Sequence, residues 1–411
     1  MGGVVSADEV TPPPGSADGR PPLHLARRLT GIGLGLGALA AFHLLSRSPG
    51  AAEFLVGQGP IPALTRGLSR LTGAVPISLA EAVVVIVLAR QGVGIGRGLL
   101  QLRRGADGFP RTLARGGLRL AQDAGVLLFL FYLLWGFQYA RPGVEAQLGI
   151  TSAGEVPTAE LRALAARSVQ SGNVLYRALH GVEDTGVPTP SVPPGAVLPA
   201  LHQGWERAVE RWGLDPRMTR RFGDPKSFSA TPVVKRFGVA GMYFPYTAEA
   251  LVLADLPGAL RGKEMAHEMA HQRGVARESD ANILAYLVTL EAPDPQVRYA
   301  GALFLQRQLI SALGRVDPDA AWALSQERLP GVRRDLAAIA AYWADAVGPV
   351  SQATTRANDA MLRSHGIPEG VENYRGSVWA FVSLARREGV DFLLPEPVPS
   401  GDGRTQTGPV P

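Results

Sequence analysis

The chain has no cysteine among its 411 residues. No disulfide can brace it, and any metal site must be built from histidines and carboxylates. Histidine is scarce, with seven in all, so any local pairing of histidines stands out. Charged residues make up 19% of the chain, below the roughly 25% of ordinary soluble domains and as expected of a protein partly in membrane. The length allows two or three domains.

Basic charge is scarce where a nucleic-acid site would need it. The formal net charge of +5 divides unevenly: residues 1–119 carry 13 arginines against 6 acids, whereas residues 120–411 carry 28 basic residues against 30 acids. The surplus belongs to the apolar first part. With no basic stripe on the remainder, no nucleic-acid partner is expected.

Three apolar stretches fill that first part and predict transmembrane helices at 29–46, 78–102 and 120–139. In the first, Gly31/Gly35 and Gly33/Gly37 form small-x-x-x-small pairs that allow close helix approach. They do not make a dinucleotide fingerprint, because no strand precedes them and the third glycine is missing. The second begins with a capping box, Ser78-Leu79-Ala80-Glu81, and is interrupted by Arg90. It reads as a span that continues through Gly92–Leu102 or as an interfacial helix. The third, Ala124–Phe137, has Trp135 near its end and Tyr139 just beyond it at an expected interface, and is ended by Arg141-Pro142.

Arginines set the expected orientation. Arg97, Arg103, Arg104, Arg111, Arg115 and Arg119 lie between the second and third stretches, and Arg27-Arg28 precede the first. Positive-inside then places residues 1–28 as a cytoplasmic tail of a multi-pass bacterial inner-membrane protein, with residues 140–394 extracytoplasmic. An uncleaved anchor fits the first stretch better than a signal peptide, since no small-x-small cleavage site follows. The Pro- and Gly-rich ends, 1–22 and 395–411, are expected to be disordered.

Beyond the spans, the pattern is mainly α with a small β element. Helical periodicity marks 158–180 and 196–213, joined by the Pro-rich segment 181–195, and then 296–314, 318–328, 332–364 and 371–388. Residues 239–246 and 250–253 are β-prone, with Pro245 suited to an edge strand. Such a strand either forms a core hairpin or offers its edge to an extended peptide.

The strongest chemical signal is His267-Glu268-Met269-Ala270-His271. On a helix, histidines four apart project from one face and can share a tetrahedral zinc ion. Glu268 follows the first histidine, where it can act as general base on water at the metal. A catalytic zinc takes three protein ligands. Glu278 offers the third, with Gly274 between as the residue able to turn the chain back. Asp280 is the rival, projecting roughly 200° around the helix from Glu278. Asn282, four residues past Glu278, is expected to hydrogen-bond a ligand histidine. A di-iron site would need a second Glu-x-x-His pair on another helix. His24, His43, His180, His202 and His365 each lack a glutamate three residues before them.

The stretch from His267 to Asn282 resembles the zincin superfamily, and within it the Glu-zincins. In several membrane-integrated members a Glu-x-x-Ala-Asp pattern supplies the third ligand; here it reads Glu278-Ser279-Asp280-Ala281-Asn282. The whole chain resembles a bacterial family, domain of unknown function 3810. The matching features are Pro76–Glu81, Trp135–Pro142, Gly241–Ala250 and His267–Glu278. Membership implies N-terminal transmembrane helices followed by a zincin-like domain, and a membrane-bound metallopeptidase without an assigned substrate. One departure from the metzincin pattern is Arg277, which stands where those enzymes keep a third histidine.

These residues predict peptide-bond hydrolysis, with Zn2+ held by His267, His271 and Glu278 and with Glu268 as base. Tyr374 and Tyr299 are candidate oxyanion donors, although each also fits a buried structural tyrosine. Glu249 is expected to orient the substrate strand or to pair with an arginine. Expected partners are a peptide or protein substrate and the lipid bilayer; the oligomeric state is left open. The rivals are a zinc amidase acting on cell-wall peptides and a non-catalytic receptor or scaffold with a structural or vestigial zinc site.

Overall fold

Prolines and glycines at the ends of apolar runs set most of the element boundaries. The computed structural model describes residues 25–105, 108–150, 154–368 and 377–394; both expected disordered tails, 1–22 and 395–411, fall outside them. The helices begin with α1 (Leu25–Leu45), α2 (Pro49–Ala52), α3 (Ile61–Gly73), α4 (Leu79–Arg103) and α5 (Phe109–Leu134). Next come α6 (Val144–Leu148), α7 (Thr158–His180) and α8 (Pro194–Trp212). A small sheet follows, made of β1 (Lys226–Ser227), β2 (Gly241–Phe244) and β3 (Glu249–Val252), with α9 (Thr231–Lys235) after β1. The remainder is α10 (Gly258–Gln272), α11 (Glu278–Glu291), α12 (Pro295–Leu313), α13 (Pro318–Gln326), α14 (Pro330–Ala344), α15 (Pro349–Ser364) and α16 (Ser377–Glu388).

Local chemistry accounts for these limits. Asp294 precedes Pro295 and accepts from the amides of Gln296 and Val297 at 2.7 and 3.1 Å; Asp317 precedes Pro318 and accepts from Ala320 at 3.0 Å. Both are side-chain N-caps followed by a proline that lacks the amide a first turn cannot use. The single helix expected over 332–364 is in fact two, because Gly348-Pro349 breaks it: Gly348 is fully extended, as a residue before proline prefers.

The chain divides into two units, residues 1–41 with 83–130, and residues 42–82 with 131–411. The helices α1, α4 and α5 are long and apolar enough to cross a membrane. The third begins at Phe109, well before the expected 120, and ends at Leu134, where Trp135 leaves helical geometry.

In the first unit, one of the two glycine pairs is used. A Cβ on Gly35 would fall 2.7 Å from the Gly125 backbone, and one on Gly31 would meet Gln122, whereas Gly33 and Gly37 face open space. Arg90, the interruption in the second apolar run, is answered from α5: its guanidinium meets Asp123 at 2.8 and 3.1 Å, and Gln91 donates to the same carboxylate at 3.0 Å. A charge in an apolar run is tolerated where a neighbouring helix supplies its partner.

The second unit is built on α10, α11 and α12, with α7 and α8 against them. Small residues let the helices close: Gly204 of α8 sits against the Val288 carbonyl, and Gly262 of α10 against Val297. The sheet has the order β1-β3-β2, with β3 fully buried and β2 antiparallel to it at one edge. Of the two readings of 239–253, the strands are a hairpin with one buried member and one edge member.

The capping box at Ser78 forms by half. Ser78 Oγ accepts from the Glu81 amide at 3.2 Å, but the Glu81 carboxylate turns away to accept from the Ser229 and Ala230 amides at 3.0 and 2.8 Å. Glu249 supplies what is missing. Its carboxylate accepts from the amides of Leu79 and Ala80 at 3.1 and 2.6 Å and from Thr247 Oγ1 at 2.8 Å, and it is paired with Lys226. So Glu249 pairs with a lysine rather than an arginine, and from the sheet it caps α4. The Glu249 side chain is 2% exposed and that of Lys226 9%. Removing one partner leaves the other uncompensated, so Glu249→Ala should cost about 3–5 kcal/mol in denaturant unfolding in detergent, whereas Arg221→Ala, whose ion pair is exposed, should cost about 0–1 kcal/mol.

Candidate metal centre

Fourteen of the fifteen residues of α10 are buried, so this helix has no solvent face. That is unusual for a segment carrying Arg261, Lys263, His267, Glu268, His271 and Gln272, because buried polar groups are costly unless partnered. Partners exist for several. Arg261 donates to the Ala254 carbonyl at 2.7 Å and to Ser191 Oγ at 2.9 Å, and the Lys263 ammonium lies 4.3 Å from the Phe304 ring centroid. Among the described residues, Nε and Nη1 of Arg261, Nδ1 of His267 and Oε2 of Glu268 are buried without a partner.

The chain is turned back by a glycine C-cap. The Gly274 amide donates to the His271 carbonyl at 2.9 Å and the Val275 amide to the Ala270 carbonyl at 3.3 Å, with Gly274 at φ 86°. These two bonds are a Schellman motif, which needs the left-handed region at Gly274. The motif brings Glu278, the first residue of α11, back toward α10.

Three donor atoms converge there. His267 Nε2 and His271 Nε2 are 3.2 Å apart, and Glu278 Oε2 is 3.0 Å from the first and 3.6 Å from the second. Zinc with its usual bond lengths and tetrahedral angles separates its ligand atoms by about 3.3 Å. The three donors therefore span one face of a zinc-sized tetrahedron. His271 Nδ1 donates to the Val275 carbonyl at 2.7 Å, which leaves Nε2 with its lone pair toward the other two. The donor set and the tautomer both fit a divalent cation such as zinc.

Electrostatics agree with a site that wants positive charge. Burial works against the Glu278 carboxylate, but the two histidines outweigh it and hold its pKa well below the usual range. Burial likewise opposes charge on His271, yet Glu278 and Glu268 push its pKa up to about 9. Metal binding there requires any proton on His271 Nε2 to be lost. His267 is lowered by burial and by Lys263. Glu268 is pushed up to about 8 by burial, with Glu278 adding to the effect.

Asp280 is turned away from the cluster. It accepts from the Val144 amide at 3.1 Å, and burial together with Glu145 raises its pKa. Asn282 is buried, but among the described residues it bonds neither histidine; the Val275 carbonyl takes the place expected for it. Tyr299 is also elsewhere, donating to Asp335 Oδ2 at 2.8 Å. Tyr374 lies outside the described residues.

Three residues around the cluster were not visible as such in the sequence. Trp135, expected at a membrane interface, is buried with its ring edge-on to His271 at 5.7 Å and 4.8 Å from Tyr243. Tyr139 is buried as well, and after burial itself the Glu278 carboxylate is the next influence raising its pKa. The signal available was their membership in one conspicuous run, Trp135–Pro142. Gly241 opens β2 against Glu268, where a Cβ would fall 2.7 Å from Oε1.

A mainly helical protein with three potential spans and a buried His-His-Glu cluster is thus defined. The chain belongs to the family described as Protein of unknown function (DUF3810), whose model matches residues 58–381. No curated protein and no solved structure matches the chain.

Elemental analysis of detergent-purified protein should find about one zinc per chain, lost in Glu278→Ala and kept in Asp280→Ala. Equal metal content in the two variants would remove Glu278 from the ligand set.

Proposed function

We propose that this chain is a membrane-anchored zinc metallopeptidase that hydrolyses peptide bonds on the extracytoplasmic side. The observation that carries the proposal is the burial of Glu268 beside three converging metal donors. A purely structural site has no need of an additional buried carboxyl with an unpartnered oxygen.

Zinc bound by His267, His271 and Glu278 would supply Lewis acidity, activating water near neutral pH and polarising the scissile carbonyl. Glu268 takes the proton from the attacking water and delivers it to the leaving amine. Its pKa, pushed up to about 8 by burial, marks a carboxyl whose ionisation is sensitive to nearby positive charge. Packing places that carboxyl: Gly241 leaves room for it, and Trp135 walls His271 on another side.

The edge strand supports a peptide as substrate. Among the described strands β2 has one neighbour, β3, so its other edge is unpaired. β2 begins at Gly241, in contact with Glu268. An extended peptide added along β2 would present backbone carbonyls next to the general base.

Glu268→Gln should still bind zinc but lose turnover by roughly 100-fold or more on a quenched-fluorescent peptide library. Equal cleavage by the variant and the parent would defeat the proposed mechanism. No cleavage by a zinc-loaded parent would favour a non-catalytic scaffold.

A further inference from the structure

The helix α3 shows a burial pattern inverted from that of a soluble protein. Three residues spaced one turn apart, Thr65, Ser69 and Thr72, are 7%, 1% and 5% exposed. On the neighbouring strip, Leu64 is 51% exposed, Leu71 is 73% exposed and Leu68 is half-buried. At 100° per residue the leucine strip and the hydroxyl strip are centred a quarter-turn or so apart. Arg66 and Arg70 occupy a third strip, and among the described residues neither has an ion pair. A helix on the surface of a water-soluble domain turns its leucines in and its hydroxyls out; this one does the opposite.

Specific bonds hold the hydroxyl strip to the second unit. Ser69 Oγ accepts from the Gly223 amide at 3.0 Å and from Gln272 Nε2 at 3.2 Å. Thr72 Oγ1 donates to the Thr247 carbonyl, at the tip of the β2–β3 hairpin, at 2.9 Å. Backbones touch as well, since a Cβ on Gly73 would fall 2.6 Å from Gly223 Cα. The outward leucines therefore follow from how the helix is fastened, and cannot be turned inward without breaking these bonds.

Chain connectivity indicates what covers the leucines. α3 lies between α1 and α4, two of the three helices apolar enough to cross a membrane. Five residues separate Gly73 from Leu79, the first residue of α4, a link that reaches about 20 Å at most. Ile77 in this link is exposed, as are Phe54 and Leu55 ahead of α3. An apolar strip with a basic strip roughly 150° around the helix from it, tethered at the end of a spanning helix, has the composition of a segment lying in the membrane interface.

We propose that α3 lies in the interfacial layer of the bilayer, with Leu64, Leu68 and Leu71 against lipid acyl chains and with Arg66 and Arg70 at the level of the phosphates. Because Gln272 follows the metal-cluster residue His271, the same bonds tie that cluster to a lipid-held helix. The placement of α3 does not require a bound metal.

The absence of cysteine makes the test direct. Leu64→Cys and Leu71→Cys in the full-length protein, labelled with an environment-sensitive fluorophore, are placed in phosphatidylcholine–phosphatidylglycerol nanodiscs. Trp322→Cys, on α13 and 68% exposed, is the control. Labels at 64 and 71 should lose emission to lipids brominated high on their acyl chains, at roughly 5–10 Å below the headgroups, and resist iodide; the label at 322 should do the reverse. If the labels at 64 and 71 are quenched by iodide as strongly as that at 322, the proposal fails. If they resist both quenchers, and unlabelled Leu71→Cys protein links two copies through a disulfide, the leucine strip is a contact between chains, which also overturns it. Neither readout depends on zinc, so this outcome and that of the metal experiment are separate.

Discussion

Two imidazole nitrogens and a carboxylate oxygen, mutually 3.0–3.6 Å apart inside a packed core, cannot be left without shared positive charge. Much of the second unit serves to hold that arrangement. α10 is buried from end to end, so its histidines have fixed directions. The Schellman turn at Gly274 returns Glu278 to the same point, and the Val275 carbonyl exposed by that turn fixes the His271 tautomer. One short loop thus positions two of the three donors.

The same unit is fastened to the start of a potential membrane span by polar contacts. Glu249 caps α4 from the sheet, Glu81 reaches back from α4 to the turn before α9, and the hydroxyl strip of α3 binds both the hairpin and the end of α10. The sheet, α10, α3 and the start of α4 share a hydrogen-bonded seam. Substitutions in it are expected to act on the position of β2 as well as on stability.

The convergence of His267, His271 and Glu278 was legible in the sequence because a four-residue helical spacing and a glycine-directed turn are local. His267, Glu268, His271 and Glu278 all fall within one such stretch. The helix starts expected at 296 and 318 from periodicity fall within one residue of those of α12 and α13. What was not legible depended on partners distant in sequence. Trp135 and Tyr139 look like interfacial aromatics until the fold places them beside His271 and Glu278. Glu249 looks like a site residue until it is seen to cap a helix 170 residues earlier. Arg90 looks like a break in a span until Asp123 answers it from the next helix. Asn282 looks like the partner of a ligand histidine, but a backbone carbonyl, which no sequence pattern marks, fills that role.

The central claim is that His267, His271 and Glu278 together hold a metal. X-ray absorption at the zinc K-edge on the full-length protein in detergent tests it most directly. The account predicts four-coordinate zinc with scattering from two imidazoles and oxygen donors at about 2.0–2.2 Å, and the loss of that environment in His271→Ala. A spectrum with a six-oxygen shell and no imidazole scattering, unchanged in the variant, would contradict it.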